Sequence, residues 1–91
     1  MSKDKLFIIL QNTEGARPFT EAFEQENPNA VFKYDQPGMI RIENNGFLGI
    51  TKEVVSELAG HEVDLQELHL VLVSLSGHVD EDDDYFRLSW N

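Results

Sequence analysis

The sequence predicts an α+β fold: a single small domain, residues 1–91, of two β-α-β-β units with antiparallel sheet. Three observations predict it. Short apolar runs rich in β-formers alternate with two segments whose apolar residues recur at helical spacing. Turn chemistry, Pro-Gly and Asn-Gly, separates the strand candidates. Finally, 91 residues that are 41% hydrophobic and 26% charged have the material for one thin core. A compact chain of this length has a radius of gyration near ~12 Å.

The elements follow in order. Leu6, Phe7, Ile8, Ile9 and Leu10 form a continuous apolar run closed by Gln11-Asn12-Thr13, which reads as a buried strand. Phe19, Ala22, Phe23 and Glu26 fall at i, i+3, i+4 and i+7, a helix with one narrow buried face. Pro18 suits its first turn, and Asn27-Pro28 stops it, because a residue before proline is pushed out of the α region. Residues 30–34 and 39–43 read as strands across the turn Asp35-Gln36-Pro37-Gly38. Asn44-Asn45-Gly46 is the strongest hairpin signal, returning residues 47–50 as a strand. Thr51 caps a helix with Val54, Val55 and Leu58 inside, and Gly60 ends it. Asp64 and Glu67 frame one more turn carrying Leu65 and Leu68. Residues 70–75 are apolar on both faces until Ser74 and read as a central strand that ends at Gly77. Residues 85–90 alternate, with Phe86, Leu88 and Trp90 on one face, as a half-exposed final strand.

Charge and composition exclude several functions. Seven Lys and Arg stand against 17 Asp and Glu, a net charge of −10. Such a surface repels phosphates, which argues against nucleic acid and anionic membranes and for docking on a basic or neutral protein. The absence of cysteine excludes disulfides, thiolate metal sites, iron–sulfur clusters and thiol nucleophiles. The apolar run after Lys5 is too short for a signal peptide or a membrane span, so the cytoplasm is the expected location.

Candidate chemistry is sparse. Asp80, Asp82 and Asp84 sit at calcium-loop positions 1, 3 and 5, but Tyr85 replaces the glycine at 6 and Asn91 the glutamate at 12. The run from Asp80 to Asp84 is better read as a solvated hairpin loop whose charges guard strand edges. His61, His69 and His78 lie eight and nine residues apart without metal-site spacing. Ser74-Leu75-Ser76-Gly77 lacks the glycines of a nucleophile elbow, and Gly46-Phe47-Leu48-Gly49 is no phosphate loop. Exposed carboxylates in a thin domain have no pocket to raise a pKa, so an intrinsic enzyme is not expected. Ser74 and Ser76 make the strand small and polar as it nears Gly77. That suits close approach by another backbone, or equally a strand reaching solvent.

Asp64-Leu65-Gln66-Glu67-Leu68, Leu75-Ser76-Gly77-His78-Val79-Asp80-Glu81 and Phe86-Arg87-Leu88-Ser89-Trp90 together resemble the effector, or coupling, proteins of soluble diiron monooxygenases. The phenol hydroxylase branch is most similar. Ala16-Arg17-Pro18, Arg41-Ile42-Glu43 and Glu26-Asn27-Pro28-Asn29-Ala30-Val31 extend the likeness over nearly the whole chain. The resemblance implies a cofactor-free, non-catalytic regulator that binds the α subunit of a diiron hydroxylase near its iron site. There it promotes oxygen activation coupled to hydroxylation of phenol- or toluene-type substrates and influences electron delivery by the reductase. By position, the strand end before the glycine carries partner contact, which maps to Ser74, Ser76 and Gly77, with His78 adjacent and Asn27 added from the matching stretch. Methane-oxidising effectors have a long N-terminal tail; here the first strand begins by Leu6, so tail-dependent behaviour is not expected. Two other readings remain from the residues alone: a small α+β ligand-sensing domain, and a minor hydrolase or calcium module using the acidic loop.

Overall fold

The computed structural model describes residues 5–90 and builds two antiparallel sheets from them. β1 (Lys5–Gln11) lies between β3 (Met39–Asn45) and β5 (Leu72–Leu75), with β2 (Val31–Lys33) beyond β3, in the order β2-β3-β1-β5. β4 (Phe47–Thr51), β7 (Tyr85–Ser89) and β6 (His78–Glu81) form the second sheet in the order β4-β7-β6. The second β-α-β-β unit is thus split, because its β5 crosses over to pair with β1.

Strand alternation decides what is buried. Leu6, Ile8 and Leu10 of β1 face inward beside Ile40 and Ile42 of β3, and Leu48, Ile50, Phe86 and Leu88 do the same in the second sheet. Helix α1 (Arg17–Glu26) adds Phe19, Ala22 and Phe23, and α2 (Lys52–Ala59) adds Val55, so one hydrophobic cluster serves both sheets. The radius of gyration is 12.2 Å.

Local signals account for the helix ends. The Thr51 hydroxyl accepts the Val54 N–H at 3.4 Å, and Gly60 closes α2 in the left-handed region at φ 81°. Asp64 caps a 3-10 turn at Leu65–Glu67 by accepting the Gln66 N–H at 3.0 Å.

Three expectations need correction. Asn45-Gly46 does not make a hairpin: β3 and β4 belong to different sheets, and of these two residues only Gly46 has positive φ. It is a corner at which the chain leaves one sheet for the other. Second, residues 70–75 are not a central strand. Leu68–Val71 wind into a short helix, α3, and β5 is an edge strand bonded only to β1. The buried positions Leu65 and Leu68, with Leu72 half-buried, recur at helical spacing and leave Leu70 78% exposed. Third, the first two residues of the acidic run, Asp80 and Glu81, are strand. His78–Glu81 is β6, an exposed edge paired with β7, and only residues 82–84 turn between them. Asp82 accepts the N–H groups of Asp84 and Tyr85 at 2.7 and 3.2 Å and so shapes that turn. Readings that concern a leading tail and Asn91 lie outside the described residues.

Candidate docking surface

Four of the five expected contact residues, Ser74, Ser76, Gly77 and His78, lie at the crossing from β5 to β6 and differ in what they do there. Ser74 is exposed and stands opposite Ile9, so its side chain shares the outer face of the four-stranded sheet. Ser76 engages both backbone groups of one residue, Phe7. Its N–H donates to the Phe7 carbonyl and its hydroxyl accepts the Phe7 N–H, each at 3.0 Å. Gly77 follows at φ 86°, where an added Cβ would lie 2.5 Å from Leu6 Cδ2 and 2.7 Å from the Ser89 carbonyl oxygen. His78 is exposed but pairs with Ser89, on the outer face of the other sheet. Ser74 and His78 therefore do not share a face; Ser76 and Gly77 are the corner between them.

Asn27 is not a surface residue. It is 4% exposed, its Nδ2 donates to the carbonyls of Gly49 at 2.8 Å and Phe23 at 2.9 Å, and its Oδ1 accepts the Gly49 N–H at 3.2 Å. Beside it, the Glu26 carboxylate accepts the Thr51 N–H at 2.7 Å. Two side chains from the end of α1 thus act as a surrogate strand along the free edge of β4. Their polar groups are committed inside the molecule, so Asn27 shapes the fold and cannot offer them to a partner.

Sequence reasoning missed the feature next to Ser74. On the same outer face, Glu43 is 8% exposed and takes Arg41 at 2.6 Å, Lys33 at 3.2 Å and Lys5 at 3.8 Å. The Arg41 hydrogen bond holds its carboxyl below the usual range against the opposing effect of burial, and Lys33 adds to the lowering. The Arg41 guanidinium also lies 4.0 Å over the Phe7 ring. A shallow groove of about 340 Å³, lined by Ile9, Lys33, Asp35, Gln36, Met39 and Arg41, opens beside this cluster. The signal was present as strand parity at Lys5, Lys33, Arg41 and Glu43, but it becomes readable only once the register is known.

The second sheet's outer face carries Phe47, 46% exposed, and Arg87, which stacks 3.7 Å over Tyr85. Burial first, then Asp80 and Asp82, push the Tyr85 phenol up. In the expected aromatic ladder, Phe86 and Leu88 are core while Trp90 is 36% exposed. Elsewhere His69 meets Glu81 at 3.0 Å, joining α3 to β6, and His61 contacts the neighbouring Glu62 carbonyl. What this surface offers is recognition: small side chains at a strand end beside a cationic, partly apolar sheet face.

The sequence profile of the MmoB/DmpM family matches residues 4–89. The chain belongs to the MmoB/DmpM family. It is 42% identical over 85 residues, 93% of each chain, to the phenol 2-monooxygenase stimulatory component DmpM of Pseudomonas sp. (strain CF600). Two solved structures of a phenol hydroxylase–regulatory protein complex contain similar chains. One is 40% identical at a TM-score of 0.89, covering 96% of this chain and 99% of that one. The other is 38% identical at 0.85, covering 94% and 99%. The soluble methane monooxygenase regulatory protein B matches at a TM-score of 0.73 with 18% identity, covering 100% of this chain and 68% of its own, and shares the fold.

Proposed function

We propose that this chain is the stimulatory component of a multicomponent phenol monooxygenase, a non-catalytic effector that binds the diiron hydroxylase and promotes coupled hydroxylation of a phenol- or toluene-type substrate. The observation that carries the reading is the 42% identity to a phenol 2-monooxygenase stimulatory component across 93% of both chains. The surface fits it, with small residues at a strand corner and chemistry suited to docking. Among the described residues no helix is long and apolar enough to cross a membrane. The cytoplasm is the compartment we assign.

The mechanism is a population shift. An effector moves the hydroxylase toward its competent state only by binding that state more tightly, and about 1.4 kcal/mol of differential affinity is worth tenfold. Ser74 and Ser76 let the partner come close to the end of β5, Gly77 permits the corner, His78 borders it, and Asn27 holds β4 behind it. The test is coupling efficiency with the cognate hydroxylase and reductase. Adding the chain is expected to raise phenol hydroxylated per reductant consumed and to lower peroxide release. An unchanged ratio together with an unchanged rate contradicts the reading.

A further inference from the structure

The described cations of this acidic chain are not evenly spread. Strand parity places Lys5, Lys33 and Arg41 on the outer face of the four-stranded sheet, where Glu43 is the only acid contributed by the strands. Asp35 lines the rim of the adjoining groove. Three of the chain's seven Lys and Arg therefore sit on a face that holds few of its 17 acids. The cross-strand row Lys33–Arg41–Ile9–Ser74 runs over all four strands and ends at the proposed contact serine. Phe7, Ile9 and Met39 on this face are half-buried rather than covered.

We propose that the outer face of the four-stranded sheet, not the outer face of the sheet that carries His78, is the surface that meets the hydroxylase. Its occupant is an acid-bearing patch of that protein, with apolar groups over Ile9 and Met39 and carboxylates beside Lys33 and Arg41. This rests on the effector reading and deepens it by assigning the face and the partner's charge. Charge complementarity decides the choice. Glu43 neutralises only part of the cationic cluster, whereas on the outer face of the other sheet the strands contribute one cation, Arg87, which stands opposite Asp80 and stacks on Tyr85. A carboxylate-bearing patch gains little there and is attracted to the Lys33–Arg41 side, a local exception to the net charge that by itself favours a basic or neutral partner.

The test is the effector concentration giving half-maximal stimulation of the cognate hydroxylase. Ser74→Glu sets an acid at the end of the row without removing any partner of Glu43, and it is expected to raise that concentration about tenfold. Lys33→Gln is expected to raise it about threefold and to flatten its dependence on salt, which screens such attraction. Lys52→Gln, on α2, is expected to leave it unchanged. Wild-type stimulation by folded Ser74→Glu and Lys33→Gln, or a loss confined to His78→Ala, overturns the face while the effector function stands. No stimulation by the unsubstituted chain overturns both.

Discussion

Asn27 shows how a single side chain can decide the position of a whole strand. Its carboxamide has a donor and an acceptor side, which together match the carbonyl and N–H of Gly49 as a neighbouring strand would. Replacing it by Leu preserves bulk but leaves those buried groups unpaired, at about 1–3 kcal/mol each. Asn27→Leu is therefore expected to lose roughly 3 kcal/mol in denaturant unfolding. Gly77→Ala is expected to be equally severe, since positive φ and two close contacts, one of them backbone, meet at one atom. Such a variant tests the fold rather than the docking surface; Ser74 is the residue on which docking can be read cleanly. Glu43 supplies a pH signature. Its folded-state pKa is depressed, so its contribution is full at neutral pH and is lost as pH falls below the usual carboxylate range and through its own lower value. Glu43→Gln is expected to cost about 2 kcal/mol at pH 7, with the gap in melting temperature from wild type closing in acid.

At the scale of elements, periodicity made α1, α2 and β7 legible, because each buries one face and its sequence repeats at the matching interval, while length and β-forming composition marked β1. The failures have physical causes. A continuous apolar run from Leu70 has no period of its own, and only the upstream Leu65 and Leu68 reveal that it begins as a helical turn. Asn45-Gly46 supplies a permissive corner, but partner choice is long-range: β4 pairs with β7, nearly forty residues away in sequence. Asp80 and Glu81 of β6 read as loop in the sequence because strand statistics disfavour Asp and Glu, although an edge strand needs charge to resist pairing with other chains. The helical account of α3 is directly checkable. Leu70→Lys is expected to change stability by less than about 0.5 kcal/mol, whereas Leu68→Ala costs about 2–4 kcal/mol. Equal losses at the two positions contradict it. Of the candidate docking surface, sequence alone shows Ser74 and Ser76 as a small polar strand end. That Asn27 is buried and that Lys33, Arg41 and Ile9 lie in one row with Ser74 are consequences of register, which no local signal carries.

For the whole molecule, the two sheets have different exteriors around a shared core. One exterior gathers Lys5, Lys33 and Arg41 about Glu43, and the other ends in an acidic edge. This asymmetry gives a protein of net charge −10 a preferred orientation as it approaches a partner, before any close contact forms. The chain belongs to the MmoB/DmpM family, and the strand corner at Ser76-Gly77, where Gly77 has positive φ, is the fixed shape that we propose it presents to a partner. The most direct measurement is steady-state phenol oxidation by the cognate hydroxylase and reductase, titrated with this chain. The account predicts a rise in rate that saturates near one effector per hydroxylase active site, with no turnover by the chain alone. A flat rate across the titration, with all components shown to be folded, would contradict it.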